Sequence, residues 1–121
     1  MLAGTPDVGH WRWQGDAGGG PGDVVWDRRG QRGFLRLRGF VANEPSRARY
    51  QLWIFDGARD DRYPVDGGVF DVPAGRDEVV IPVRASLPVT RPTAFAVTVE
   101  GPQGAVVSTR EKLVAFTATD G

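Results

Sequence analysis

The chain has 121 residues, which fits one domain with one core. Its 15 Lys and Arg residues balance 15 Asp and Glu residues, so the basic surplus typical of nucleic-acid-binding domains is missing. With no cysteine, disulfides, thiolate metal sites and cysteine nucleophiles are excluded. The sequence has neither the run of ~18 apolar residues of a membrane helix nor a signal peptide, and as given it predicts a soluble chain.

Residues 1–22 are predicted to form a flexible stalk, followed by a single domain over residues 23–121. The run 15–22 is rich in glycine and can bury little apolar area, as in flexible linkers. Trp11 and Trp13 precede this run, with an arginine between them. Two interpretations stay open: the indoles pack back onto the sheet, or they lie at a membrane surface, where tryptophan is enriched.

From residue 23 onward, short apolar or alternating runs are separated by Gly, Pro, Asn and Asp, a pattern typical of strands. We predict eight strands, at residues 24–26, 33–40, 49–55, 63–70, 78–83, 93–100, 105–109 and 112–117. Their close spacing predicts an all-β fold, an antiparallel β-sandwich of about eight short strands or a small barrel.

Two of these runs have the pattern of central strands. Both faces of 49–55 are mostly apolar, so this strand is predicted to be covered on both sides, and Gln51 then needs partners for its amide. In the second run, large apolar residues alternate with Ala94, Ala96 and Thr98. A face of small residues predicts that another group packs closely across it.

Residues suited to catalysis or to metal binding are sparse. The only histidine, His10, falls in the predicted stalk, so histidine-dependent catalysis is not expected. Carboxylates are densest in one loop, at Asp56, Asp60, Asp61 and Asp66. Their spacing does not match a calcium-binding loop, and arginines lie among them, so a solvated, salt-bridged loop is favoured over a cation site. We predict no enzymatic activity and no cofactor.

Three strings in the central strands resemble a known family when they are taken in order. The first is Tyr50-Gln51-Leu52-Trp53, the second contains Gly68 and Phe70, and the third is Phe95-Ala96-Val97-Thr98 with Glu100 and a Gly-Pro turn after it. They resemble the C-terminal domain of anti-sigma-K factors, the RskA family. The resemblance covers roughly residues 23–107, and the family offers no catalytic residues, so these residues are interpreted as structural.

The resemblance implies a regulatory role. Members of the family are similar to bacterial single-pass membrane proteins that hold an extracytoplasmic-function sigma factor inactive until proteolysis frees it. The expected function is a non-enzymatic sensory or scaffold domain on the extracytoplasmic (periplasmic) side of the inner membrane, which controls protease access to a stalk at residues 15–22. The implied partners are the sigma factor, regulatory proteases and the membrane, reached through segments that this sequence does not contain.

An alternative from another class is a secreted ligand-binding module, for example for carbohydrate. It would use exposed aromatic side chains as stacking platforms, with Trp11, Trp13 and Trp26 as the candidates. A homodimer formed by pairing of edge strands is a third possibility. Nucleic acid is not an expected partner.

Overall fold

The computed structural model describes residues 8–14, 22–60, 62–105 and 113–117. These residues contain eight strands and no helix, and every strand pair is antiparallel. The strands are β1 (Val8–Gln14), β2 (Asp23–Asp27), β3 (Arg32–Arg38), β4 (Arg49–Asp56), β5 (Val65–Phe70), β6 (Glu78–Arg84), β7 (Pro92–Glu100) and β8 (Leu113–Thr117). The all-β prediction is confirmed. The described part of the chain offers no helix able to cross a bilayer.

The strands form one sheet in the order β5-β4-β7-β8-β1-β2-β3-β6, which curls until its edges approach each other. The backbone N–H of Ser86, just after β6, donates to the carbonyl of Asp66 in β5 at 2.9 Å. The result is a nearly closed, barrel-like sheet rather than two separate layers. We call β1, β2, β3 and β6 the front half, and β5, β4, β7 and β8 the back half.

Strand β1 joins the two halves, because it changes partner along its length. Residues 8–12 pair with β2, whereas Trp13 and Gln14 pair with Thr117 and Phe116 of β8. This strand lies within residues 1–22, for which a flexible stalk was predicted. Residues 8–14 form a strand instead because Trp11 and Trp13, two positions apart, both point into the core, with 8% and 9% of their surface exposed.

Seven of the predicted strands correspond to β2–β8 with small differences at their ends. Strand β3 ends earlier than predicted because Gly39 adopts a φ of 70°, which leaves the extended region. The prediction for 105–109 falls almost entirely on residues 106–109, which lie outside the described residues.

The core fills the space between the two halves. Its fully buried members include Trp26 and Leu35 from the front half and Leu52, Ile54 and Phe95 from the back half. The front half alternates between buried and exposed positions, as β3 shows along its whole length. In the back half, β4 and β7 are buried on both faces, as was predicted for them. The outer surface is therefore exposed in the front half and buried at β4 and β7 in the back half.

Candidate functional site

The residues that carry the family resemblance come together on three adjacent strands, β5, β4 and β7. Gln51 lies opposite Thr98, and Trp53 lies opposite Ala96. The set divides between the two faces of the sheet. The inner face receives Tyr50, Leu52, Phe70, Phe95 and Val97, and the outer face receives Gln51, Trp53, Ala96 and Thr98.

On the inner face, the aromatic members form a stack beside the core. The rings of Tyr50 and Phe70 lie 5.6 Å apart and nearly parallel, and Phe40 contacts Tyr50 edge-on. The phenol of Tyr50 donates to the carbonyl of Val41 at 2.6 Å, and burial raises the pKa of Tyr50. These residues hold β4, β5 and the loop after β3 together.

On the outer face, Gln51 is buried, and its amide has the partners that were expected of a central strand. Its Nε2 donates to Oδ1 of Asp66 and to the carbonyl of Ala105, both at 3.0 Å. Its Oε1 accepts from the backbone N–H of Ala105 at 2.8 Å. The side chain therefore links β4 to β5 and to the chain that follows β7.

Next to Gln51, the indole of Trp53 donates to Oγ1 of Thr98 at 2.9 Å, and this hydroxyl donates to Oε2 of Glu100 at 2.6 Å. Trp53 is completely buried and lies opposite Ala96 across the strand pair. The face of β7 that carries small residues therefore lies beside the indole of Trp53. The sequence predicted that another group packs closely across this face. Gly68, with a φ of +100° and open space around it, allows a bulge in β5 at a position that strains other residues.

The first strand was missed by sequence reasoning, and its two indoles anchor it to the rest of the sheet. The indole N–H of Trp11 donates to the carbonyl of Thr93 at 3.2 Å, and its ring meets Phe95 edge-on at 4.8 Å. The indole N–H of Trp13 donates to the carbonyl of Arg36 at 3.0 Å. The signal that could have found it is the alternation of polar and aromatic residues from His10 to Gln14.

The tryptophan contacts decide between the interpretations that the sequence left open. Trp11 and Trp13 pack back onto the sheet and are not free to sit at a membrane surface. Trp26 is also fully buried. The proposed stacking platforms of a carbohydrate-binding module are therefore core residues, because a sugar ring needs an exposed aromatic face. This corrects the role suggested for these three side chains.

A polar cluster lies on the open surface of the front half. Arg36 donates through Nε and Nη2 to both oxygens of Asp23, at 2.9 and 2.7 Å, and Nε2 of His10 lies 2.7 Å from Asp23 Oδ2. Burial of Asp23 raises its pKa, but the hydrogen bonds from Arg36 and His10 outweigh this, and the pKa lies below its usual value. A hollow of about 400 Å³ lies beside the cluster.

Three of the four carboxylates predicted to lie in one acidic loop are described, and each accepts hydrogen bonds from the protein itself. Asp56 accepts from the backbone N–H groups of Ala58, Thr90 and Arg91, at 2.8 to 3.0 Å. Burial alone would raise the pKa of Asp56, but these donors and nearby Arg59 lower it overall.

Asp60, in the loop after β4, and Asp66, in β5, each have their own donors. Asp60 pairs with Arg62 at 2.9 Å, and Asp66 accepts from Gln51 and from the N–H of Gly68. Asp61 lies outside the described residues. In the described ranges, no three His, Asp or Glu side chains come close enough to hold a metal ion.

Comparison with known proteins gives one positive result. The family model described as "Anti-sigma-K factor rskA, C-terminal" matches residues 1–110, a range that includes β1 as well as the central strands. Searches of curated proteins and of solved structures returned no match. The match covers most of the chain, and all of the residues on which the resemblance was based lie inside it.

Proposed function

We propose a function from the premise that the chain belongs to the anti-sigma-K factor C-terminal family. Its role is that of a non-enzymatic sensory or scaffold domain on the extracytoplasmic side of a membrane-spanning anti-sigma factor. The folded domain restricts protease access to the chain that joins it to the membrane, and cleavage of that chain frees the sigma factor. The observation that carries the proposal is the family match over residues 1–110.

The position of β1 supports this role. The strand lies between β8 and β2, in the middle of the sheet order, and two buried indoles anchor it. Chain upstream of Val8 is therefore attached to a strand that cannot detach without exposing core residues. Because β1 and β2 are antiparallel neighbours, residues 15–22 connect two paired strands. We therefore assign the protease-sensitive stalk to chain upstream of Val8 instead of to residues 15–22.

The test of this function is cleavage of the full-length membrane protein in cells carrying a sigma-dependent reporter. Trp53→Ala, which empties a fully buried position, is expected to raise both cleavage and reporter output. The matched control is Val41→Ala, since the side chain of Val41 is 76% exposed. The substitution retains the backbone carbonyl of residue 41, which accepts the hydrogen bond from the Tyr50 hydroxyl. Unchanged output in the Trp53 variant, with the protein present at normal levels, would contradict the shielding role.

The extracytoplasmic location is part of the proposal and has a separate test. The chain contains no cysteine, so a Val41→Cys substitution creates one thiol in this domain at an exposed position. A maleimide that cannot cross the membrane is expected to label this thiol in intact cells. Labelling only after the cells are lysed would place the domain on the other side of the membrane.

A further inference from the structure

The two edge strands of the sheet leave a cleft between them. They meet where Ser86 donates to the carbonyl of Asp66, and beside this contact lies an open cleft of about 670 Å³. One wall consists of Gly67, Gly68 and Val69 of β5. The other is formed by the exposed side of β6 and β3, with Arg32, Phe34, Pro82 and Arg84 among its residues. Asp27, the last residue of β2, also lines the cleft.

Two arginines stand side by side at this cleft. Arg32 and Arg84 are direct cross-strand partners in the β3–β6 pair, and both are exposed. Like charges in directly opposite positions destabilise a strand pair. Neither guanidinium has a hydrogen bond or an ion pair within the described part of the chain, although Asp27 of β2 lies directly opposite Arg32 and lines the same cleft. Arg36 and Arg38 on the same face are paired with Asp23 and Glu78. An unpaired arginine couple is suited to bind carboxylates.

Apolar side chains adjoin the arginine couple. Phe34 is 52% exposed, and its direct cross-strand neighbours are Pro82 and Val25. Val80, the next outward position on β6, is also exposed. An exposed aromatic residue beside arginines has the composition of a protein interface core, where aromatic residues and Arg are enriched. A ligand that combines carboxylates with apolar groups fits both features.

We propose that this cleft docks an extended, acidic peptide segment of a partner protein. Its carboxylates bind Arg32 and Arg84, and its apolar side chains pack on Phe34 and Pro82. In the β5 wall, Gly68 is exposed and a Cβ at this position would meet no atom within 4 Å, which leaves room for an extended backbone. This inference goes beyond the proposed function and does not rest on it.

Other occupants fit the cleft less well. In a symmetric dimer of this chain, the same cationic surface would face its own copy, which like charges oppose. Regular edge-to-edge pairing is also hindered, because Pro82 lacks an N–H and β5 contains a bulge. A bilayer surface is too broad to enter a cleft between two strands. A short extended peptide avoids all three difficulties.

The test measures binding of a fluorescent, N-acetylated and C-amidated peptide that alternates Glu with Val and Phe, using the complete 121-residue chain. Saturable binding is expected, and the Arg32→Gln/Arg84→Gln variant is expected to weaken it on the order of tenfold or more. The matched control, Arg47→Gln/Arg76→Gln, removes the same charge from exposed positions elsewhere and is expected to bind as the wild type does. The same peptide with Gln in place of Glu is expected to bind weakly.

Thermal unfolding keeps this test independent of folding defects. Removing the like-charged pair is expected to leave the melting temperature of the Arg32→Gln/Arg84→Gln variant unchanged or higher, and a clear decrease would overturn the premise that the pair is unpartnered. Equal peptide binding by both double variants, or none by the wild type, would overturn the proposal. So would arginine-dependent binding to phosphatidylglycerol vesicles, or arginine-dependent dimerisation in sedimentation experiments, if the peptide does not bind.

Discussion

The two halves of the sheet are both built from antiparallel strands, but they differ in the burial of their outer faces. The outer face is exposed in the front half and buried at β4 and β7 in the back half. In the front half, β3 buries Leu35 and Leu37 and exposes the residues between them. In the back half, the outer face of β4 carries Gln51 and Trp53, and both are buried with their polar atoms hydrogen-bonded. A strand face can therefore be covered without being wholly apolar, provided that each polar group has a partner. The open face of the front half exposes charged groups instead, among them Arg36 and Arg38, which pair with Asp23 and Glu78.

The largest effect is expected from Trp53→Ala on the covered face. The substitution removes a fully buried indole and leaves the hydroxyl of Thr98 without its donor, so we expect a loss of about 3–5 kcal/mol in the free energy of unfolding. Urea denaturation followed by circular dichroism measures it. A loss below about 1 kcal/mol, the range of surface substitutions, would show that the outer face of the back half is not a second packed layer.

A second prediction compares the two completely buried tryptophans with each other. The indole N–H of Trp53 is bonded to Thr98, whereas that of Trp26 has no hydrogen-bond partner among the residues described. Trp53→Phe is therefore expected to destabilise more than Trp26→Phe, by about 1–3 kcal/mol, because only the first breaks a buried hydrogen bond. Equal losses in parallel urea titrations would show that packing alone decides both positions.

The third prediction concerns pH and uses the buried carboxylate of Asp56. Its pKa is lowered in the folded chain, so the ionised group stabilises the fold above its unfolded pKa, and this contribution is lost as the pH falls through the folded pKa. We expect Asp56→Asn to lower stability by about 1–2 kcal/mol at neutral pH, with the deficit shrinking below about pH 5. Melting temperatures across a pH series measure this.

The control for this pH effect is Asp60, whose carboxylate is exposed and paired with Arg62. The hydrogen bond from Arg62 lowers the pKa of Asp60, but salt screens an exposed pair. Asp60→Asn is expected to change the melting temperature little in concentrated salt, whereas the Asp56 deficit persists there. If the loss of stability caused by Asp56→Asn vanishes in concentrated salt, the hydrogen bonds from the backbone N–H groups do not stabilise the Asp56 carboxylate.

The smallest effect is expected on the open face. Phe34→Ala removes a half-exposed ring and should change the free energy of unfolding by less than about 1 kcal/mol. Leu35→Ala, one position along the same strand, is the matched buried variant and should cost about 2–5 kcal/mol. Similar losses for the two would show that the front half is covered on both faces as well.

Sequence reasoning succeeded for the strand in which both faces are mostly apolar. It predicted that β4 is buried on both faces and that Gln51 needs partners for its amide. The second prediction follows because a polar side chain that is buried within an apolar strand must form hydrogen bonds inside the protein. It failed at β1, because the alternation from His10 to Gln14 is short and adjoins a glycine-rich run that is typical of a linker. It also did not single out Arg32 and Arg84, which are far apart in sequence and become neighbours through strand pairing.

The sequence by itself determined the fold class, the family and the face on which most side chains lie, since a period of two assigns neighbouring residues to opposite sides of a strand. The tertiary structure alone decided the strand order, the central place of β1 and the meeting of β5 with β6. The reason is that strand pairing depends on contacts between distant residues, about which local periodicity carries no information. The cleft beside Arg32 and Arg84 exists because the sheet curls until its two edges approach without closing.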